Sequence, residues 1–513
     1  MTTPTPDPRP RASIVRALGF RGTVLQTAVF EATLFRAALF VVLGLHAAWV
    51  AALAMGHEPW RDEWQAWAIA RASATPGELL ANLAYEGHPP LWHALLWGPA
   101  QLGLGPGAMQ GLAGLAAVAA AALVLFRAPF PFWARVMVVF TYPFAFEWAV
   151  VARGYGVGLA LALAACALWP TRYARPWALF GVVALLPLTS AYGAIVAFAF
   201  LVALSADDRA TGAWRKAARQ RPDALGLAGS LPLIGFLAAV WVAKPPADFV
   251  PGAGQHAFPL DVLVPGALAR IGWGLFPLPG NLAYPWSSAA LGAGAPAIAA
   301  GLAGLAAWWW LGPRGKPVAT AFFVAGSAGL LAMSLGLHLG VLRHALHYEV
   351  VVLCALWLAA LEPGRPPAAF VGAGRVVLAA LLAPAVAASA WLGLADATRP
   401  FSNGPAMAAW LRAHPDPAAT LVATPDAAAI SVAAALDQPI FTLEGGGPRR
   451  FVRWNRDRFL TDSQRATRLQ AIAQQGPIRL LTNRPTPAAG TLLHAEVGAL
   501  VDDEDFWLYE RRP

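Results

Sequence analysis

Charge is scarce in this 513-residue chain: Asp, Glu, Lys and Arg together make up 13% of it. A soluble globular protein averages about a quarter, so an ordinary soluble enzyme is excluded. Cysteine is scarcer still. Cys166 and Cys354 both fall inside apolar runs, read as small core residues, and imply no disulfide framework. There is no internal repeat and no low-complexity tract. No cleavable leader is read either, because the first apolar run is long and follows a basic lead. The net charge of +9 does not point to nucleic acid. The basic residues lie mainly in short loops between apolar runs, where Lys and Arg orient membrane segments.

What the chain has in abundance is apolar runs near the ~20 residues needed to cross a bilayer. They predict a polytopic α-helical membrane protein of about eleven spans. These lie near 34–55, 107–126, 135–150, 155–169, 177–189, 192–205, 224–243, 287–311, 318–339, 345–361 and 375–394. Arg9, Arg11, Arg16 and Arg21 place the segment 1–30 in the cytoplasm. Five further basic loops, at 127–135, 171–175, 207–221, 314–316 and 365–375, can all be cytoplasmic only if 89–104 does not span. Trp92, His93, Trp97 and Gln101 interrupt that run and suit the interface. The transmembrane domain is therefore 31–395. Its first outer loop is 56–106, and its second, 244–286, holds a partly apolar helix near 261–277. From 396 to 513 the composition changes. A helix in SNGPAMAAWLRAHP precedes strand, helix and strand in TLVATP, DAAAISVAAALDQ and PIFTL, with IRLLTN and DFWLYE as further strands. That alternation predicts a small α/β domain on the outer, periplasmic side.

Chemistry concentrates in the window Arg61–Leu91. Asp62 and Glu63 are adjacent acids beside the bilayer, where charge is costly and usually functional. Such a carboxylate can act as a general base on an acceptor or bind a divalent cation; the plainer reading is an acidic loop capped by Arg61. Glu86 and His88, two apart before Pro89 and Pro90, can reach one site, orient an acceptor or hold a metal. The plainer reading there is a polar lead into a Pro-started interfacial helix. Arg153, with Tyr155 after it, falls at the outer end of a span against the positive-inside tendency. An anionic partner is expected for it, or else a pairing with Glu147. Arg343, His344 and His347 form a second outer cationic cluster at a helix start, where a phosphate can rest. Glu349 lies at membrane depth and needs a partner, with His347 the nearest in sequence.

These residues resemble a known superfamily. An outer Asp-Glu in DEWQAWAIAR, followed by EGHPPL, is similar to the pattern of the GT-C polytopic glycosyltransferases, in particular the protein O-mannosyltransferases and lipid A aminoarabinose transferases. ARGY and LRHALHY resemble that group's weaker arginine motifs. The resemblance covers about 30–394, and 397–513 carries none. It implies an inverting transfer from a polyprenyl-phosphate-linked sugar to an envelope lipid, glycan or protein at the outer face of a bacterial inner membrane, with interfacial helices in the first outer loop. Asp62 would be the catalytic base, and Glu63, Glu86 and His88 would hold a metal or orient the acceptor. Arg153, Tyr155, Arg343 and His344 would bind the donor phosphate. A divalent cation (Mn, Mg or Zn) on Glu86 and His88 is a candidate cofactor. The aminoarabinose transferases have Lys after the Glu, where this chain has Gly87 and His88. The alternative is a lipid or solute transporter or flippase without transferase activity. Transporters tend to carry internal repeats and broken helices near the midplane, whereas the polar residues here gather at the outer ends of spans.

Overall fold

The computed structural model describes residues 11–249, 258–287 and 289–512, with side chains from Thr33 onward. The basic residues expected to orient the N-terminus, and residues 250–257 of the second outer loop, lie outside what is described in side-chain detail. The described part opens with one long helix, α1 (Arg11–Gly56). Three short helices follow, α2 (Arg61–Arg71), α3 (Pro76–Leu83) and α4 (Leu91–Gln101). At 1.5 Å per residue α4 reaches roughly 16 Å, about half a bilayer core. Residues 89–104 thus form a non-spanning helix.

Helices α5 (Gly107–Arg127), α6 (Phe132–Val139), α7 (Tyr155–Leu168), α8 (Pro176–Leu185), α9 (Ala191–Thr211), α10 (Ala213–Gln220) and α11 (Pro222–Ala243) come next. The second outer loop carries α12 (Leu260–Leu275), close to the expected helix. Then come α13 (Ala295–Leu311), α14 (Pro317–Gly336), α15 (Leu342–Ala345), α16 (His347–Leu361) and α17 (Gly372–Thr398). Among the described residues seven helices are long and apolar enough to cross a membrane, and three shorter apolar ones match the spans expected near 155–169, 177–189 and 287–311. The run 135–150 is not one helix. After α6 the chain turns through a π-helical segment, Pro143–Glu147, and leaves helical structure before Arg153. Proline at 143 cannot continue the hydrogen-bond ladder, and wide turns of this kind recur at functional sites. α16 is buried on all faces from His347 to Ala359. It is the central span, as a helix apolar all round must be.

The C-terminal part is the expected α/β domain: α18 (Gly404–Ala413), β1 (Thr420–Ala423), α19 (Asp426–Leu436), β2 (Ile440–Thr442), β3 (Gly447–Arg449), α20 (Asp462–Ala473), β4 (Ile478–Thr482), β5 (Thr491–Glu496) and β6 (Phe506–Arg511). The sheet order is β3-β2-β1-β4-β6-β5, with β2, β1 and β4 parallel and the rest antiparallel. The domain is not a free appendage. Ile430 of α19 and Val452 share an apolar cluster with Trp64 and Trp67 of α2 and with Trp92 of α4. Phe401, Leu500 and Val501 join the core of the membrane domain.

Candidate active site

Asp62 and Glu63 open α2, where two acids meet the positive end of the helix. They face opposite duties. Glu63 is completely buried. One of its oxygens accepts the backbone N–H of Ala152 at 2.6 Å; the other accepts that of Trp60 at 3.1 Å. The latter oxygen also lies 3.1 Å from His57 Nε2, and His57 Nδ1 is 3.0 Å from Asp396 Oδ2 on α17. Glu63 therefore ties α2 to the ends of α1 and α17 and to the strand of chain that leads into Arg153. The structure places it outside the cavity wall, apart from the other acids read as acceptor contacts.

His57, between two carboxylates, donates from both nitrogens and carries a proton. Burial works to lower its pKa, but the charges of Glu63 and Asp396 outweigh this and push it up to about 10. The folded value stands above the unfolded 6.5. The stabilisation is thus complete below pH 6.5 and is lost as pH rises towards 10. The apparent melting temperature of the solubilised protein should fall across that window, and His57→Gln should melt lower and flatten the slope. Melting curves of the two proteins that run parallel from pH 7 to 10 would remove His57 from this role.

Asp62 turns the other way, into a small cavity. It shares the wall with Glu86, His88, Trp92, His93, Arg153 and Tyr155, and with Thr189 and Ser190 at the start of α9. Asp62 Oδ2 lies 2.7 Å from Arg153 Nη1 and 3.5 Å from Arg343 Nη1. Burial works to raise its carboxyl, but Arg153, then Arg343 and Arg61, outweigh that and hold it below the usual carboxylate range. Arg153 can reach Asp62 because the chain is already out of helix there. Gly154 permits the approach: a Cβ on it would sit 3.0 Å from Trp92 Cβ.

Arg343 is buried at the back of the site, its guanidinium 4.8 Å from the Trp60 ring centroid and 4.5 Å from that of Trp286. Two indole faces hold it planar and aimed at Asp62. Its Nε is 3.7 Å from Glu147, and Glu147 also accepts the Tyr142 hydroxyl at 2.6 Å. The expected pairing of Glu147 with Arg153 is thus corrected: Glu147 serves Arg343, and Arg153 serves Asp62. His344 Nδ1 accepts the Val341 N–H, so Nε2 donates to the Tyr155 hydroxyl at 3.0 Å. His347 donates to the carbonyl of His344 at 2.9 Å. His347 is therefore engaged with its own helix start; Glu349 is buried in the first turn of α16.

Glu86 and His88 flank Gly87, whose φ of +64° favours glycine and makes the turn. His88 Nδ1 donates to the Glu86 carbonyl at 2.7 Å, leaving Nε2 as an acceptor. Burial, then Arg153, lower His88 to about 4, so the ring is neutral. Burial raises the Glu86 carboxyl to about 7, against the hydrogen bond that Gln65 donates at 2.6 Å. Gln65 also pairs both its amide groups with the backbone of Val452 at 2.9 and 3.0 Å, so the outer domain forms part of the wall behind Glu86. Among the described residues no three His, Cys, Asp or Glu side chains gather to hold a metal ion. Two donors fall short of the set zinc requires. They would suit only an ion of the magnesium type, which keeps waters and leans on a substrate phosphate.

This architecture has solved counterparts. ArnT from Cupriavidus metallidurans, bound to undecaprenyl phosphate, matches over 94% of this chain and 98% of its own, with a TM-score of 0.51 at 13% identity. The apo state of that protein matches over the same shares, with a TM-score of 0.53 at 14% identity. The chain has the ArnT fold. The polytopic helical architecture expected from the sequence is therefore present, with the C-terminal domain included in the match. At this identity the likeness to ArnT is one of fold. No family model matches the chain, and no curated protein does.

Proposed function

We propose that this protein is a glycosyltransferase moving a hexosyl or pentosyl unit from a polyprenyl-phosphate-linked donor to an envelope lipid, glycan or protein, with inversion. One observation carries the reading. Asp62 lines a cavity with Glu86, His88, Arg153 and Tyr155, and two arginines far apart in the chain, Arg153 and Arg343, converge on its carboxylate. The fold supports it, since ArnT has been solved with undecaprenyl phosphate bound.

In this reading the resting arginines neutralise Asp62. The donor phosphate, a bidentate partner for guanidinium, draws Arg153 and Arg343 to itself and releases Asp62. The freed carboxylate takes the proton of the acceptor hydroxyl or amine. That atom attacks the anomeric carbon opposite the phosphate, and the carbon–oxygen bond to phosphate breaks. The departing polyprenyl phosphate keeps the electron pair, stabilised by Arg153 and Arg343 with Tyr155 and His344 behind them. Charge stabilisation of this type is usually the largest catalytic term. Glu86 and His88 orient the acceptor. A magnesium-type ion would be held by the same two residues and would add positive charge beside the phosphate; no step depends on it. The test is mass spectrometry of envelope lipids and glycans with and without the gene. One sugar modification should vanish and the polyprenyl-phosphate sugar should accumulate. Identical profiles would count against the assignment.

The loop-charge argument further assigns the cavity and the C-terminal domain to the periplasmic side. Single cysteines at the exposed positions Ala74 and Ser463 should both react with an impermeant thiol reagent on intact spheroplasts, while buried Cys166 and Cys354 stay silent. Protection of either site would overturn that orientation.

A further inference from the structure

Two adjacent side chains of α4 carry polar atoms that nothing in the protein satisfies. His93 is 5% exposed and neither ring nitrogen has a hydrogen-bond partner; Trp92 is 4% exposed and its indole N–H is likewise unpaired. Buried polar groups in native proteins are nearly always bonded, and each exception calls for an explanation. These two share one wall. Both residues line the cavity that holds Asp62, Glu86, His88 and Arg153. Other polar groups of that wall are engaged: the Thr189 hydroxyl donates to Leu186, Ser190 accepts from Gly193, and His88 donates to Glu86.

The unpaired atoms also define what they would bind. Burial, then His88 and Arg153, hold His93 far down, at about 3, so its ring is neutral and offers one donor and one acceptor. Trp92 adds a donor. Two donors and one acceptor suit alcohol groups, which both donate and accept. A phosphate only accepts, and a polyprenyl tail does neither. The close packing of Gly154 on Trp92 keeps this pair beside Arg153, hence beside the place proposed for the phosphate. We infer that Trp92 and His93 are the contacts for the hydroxyl groups of the transferred sugar and set which sugar is accepted. This rests on the polyprenyl-phosphate reading above.

The test is a binding measurement with the purified full chain in nanodiscs, needing no turnover. The probes are undecaprenyl phosphate alone and undecaprenyl phosphate carrying glucose, galactose or mannose. For the wild type, the best hexose should tighten binding by about tenfold or more over the bare lipid. His93→Phe and Trp92→Phe should each abolish most of that gain and leave bare-lipid affinity unchanged, which also shows the variants to be folded. His93→Gln, which keeps a donor and an acceptor, should restore part of it. The inference fails if no hexose tightens binding, if the Phe variants retain the gain, or if they weaken both lipids equally as a packing defect would. Bare-lipid binding without any sugar gain sinks this inference alone. No binding of the bare lipid sinks the donor reading and this inference with it.

Discussion

Asp62→Asn should reduce turnover by about 10²-fold or more, with donor binding retained. Asparagine keeps the shape of the side chain and a contact to Arg153, and it cannot accept the acceptor's proton. The same residue should also shape the pH profile. In the resting protein two arginines hold the Asp62 carboxyl low, so the acid limb of kcat/KM, which reports the free enzyme, should lie below the ordinary aspartate range. Once phosphate has taken the arginines, that depression is relieved. The acid limb of kcat, which reports the loaded enzyme, should therefore lie at higher pH. Near-normal turnover in the Asn variant, or coincident acid limbs, would deny Asp62 the role of a base released by the donor.

The second large effect concerns the arginines. Arg343→Lys retains the charge but gives up the planar fork and the stacking between Trp60 and Trp286. A lysine offers one compact ammonium where the guanidinium presents two parallel donors. The apparent donor constant should rise by about tenfold or more, and Arg153→Lys should follow in the same direction. Alanine at 343 should be worse, because it also strips the buried Glu147 of its counter-charge. A rise in the donor constant at unchanged kcat would mean that the arginines hold ground and transition states alike; a parallel fall in kcat would assign them to the departing phosphate. Unchanged donor kinetics in the Lys and Ala variants of both residues would place the phosphate elsewhere.

Much of this was readable in the sequence because it lies in local patterns. The scarcity of charge gave the membrane class, the loop arginines kept 89–104 out of the bilayer, and the alternation after 396 gave the α/β domain. Asp62, Arg153 and Arg343 each stood out as charge at a span boundary. What stayed hidden depends on residues far apart in the sequence. Nothing near His57 signals Asp396, and nothing near Arg343 signals the Trp60 and Trp286 faces. The same holds for Arg61, which pairs with Asp503 while its backbone N–H donates to Glu504 at 3.2 Å. Asp62 and Glu63 look alike in sequence as adjacent acids. On a helix they point about 100° apart, one into the cavity and one into the core. Strands β3 and β5 escaped because one is three residues containing proline and the other is a bulged edge, so neither shows a clean period of two. The unpaired nitrogens of Trp92 and His93 have no sequence signal at all.

The most direct test of the central claim supplies purified protein with undecaprenyl-phosphate-linked sugars and an envelope lipid extract. The readout is release of undecaprenyl phosphate together with sugar incorporation. A transferase of this mechanism releases one lipid phosphate per sugar incorporated, and Asp62→Asn abolishes both. Sugar-lipid left intact by the wild-type protein, or release that persists unchanged in Asp62→Asn, would contradict it.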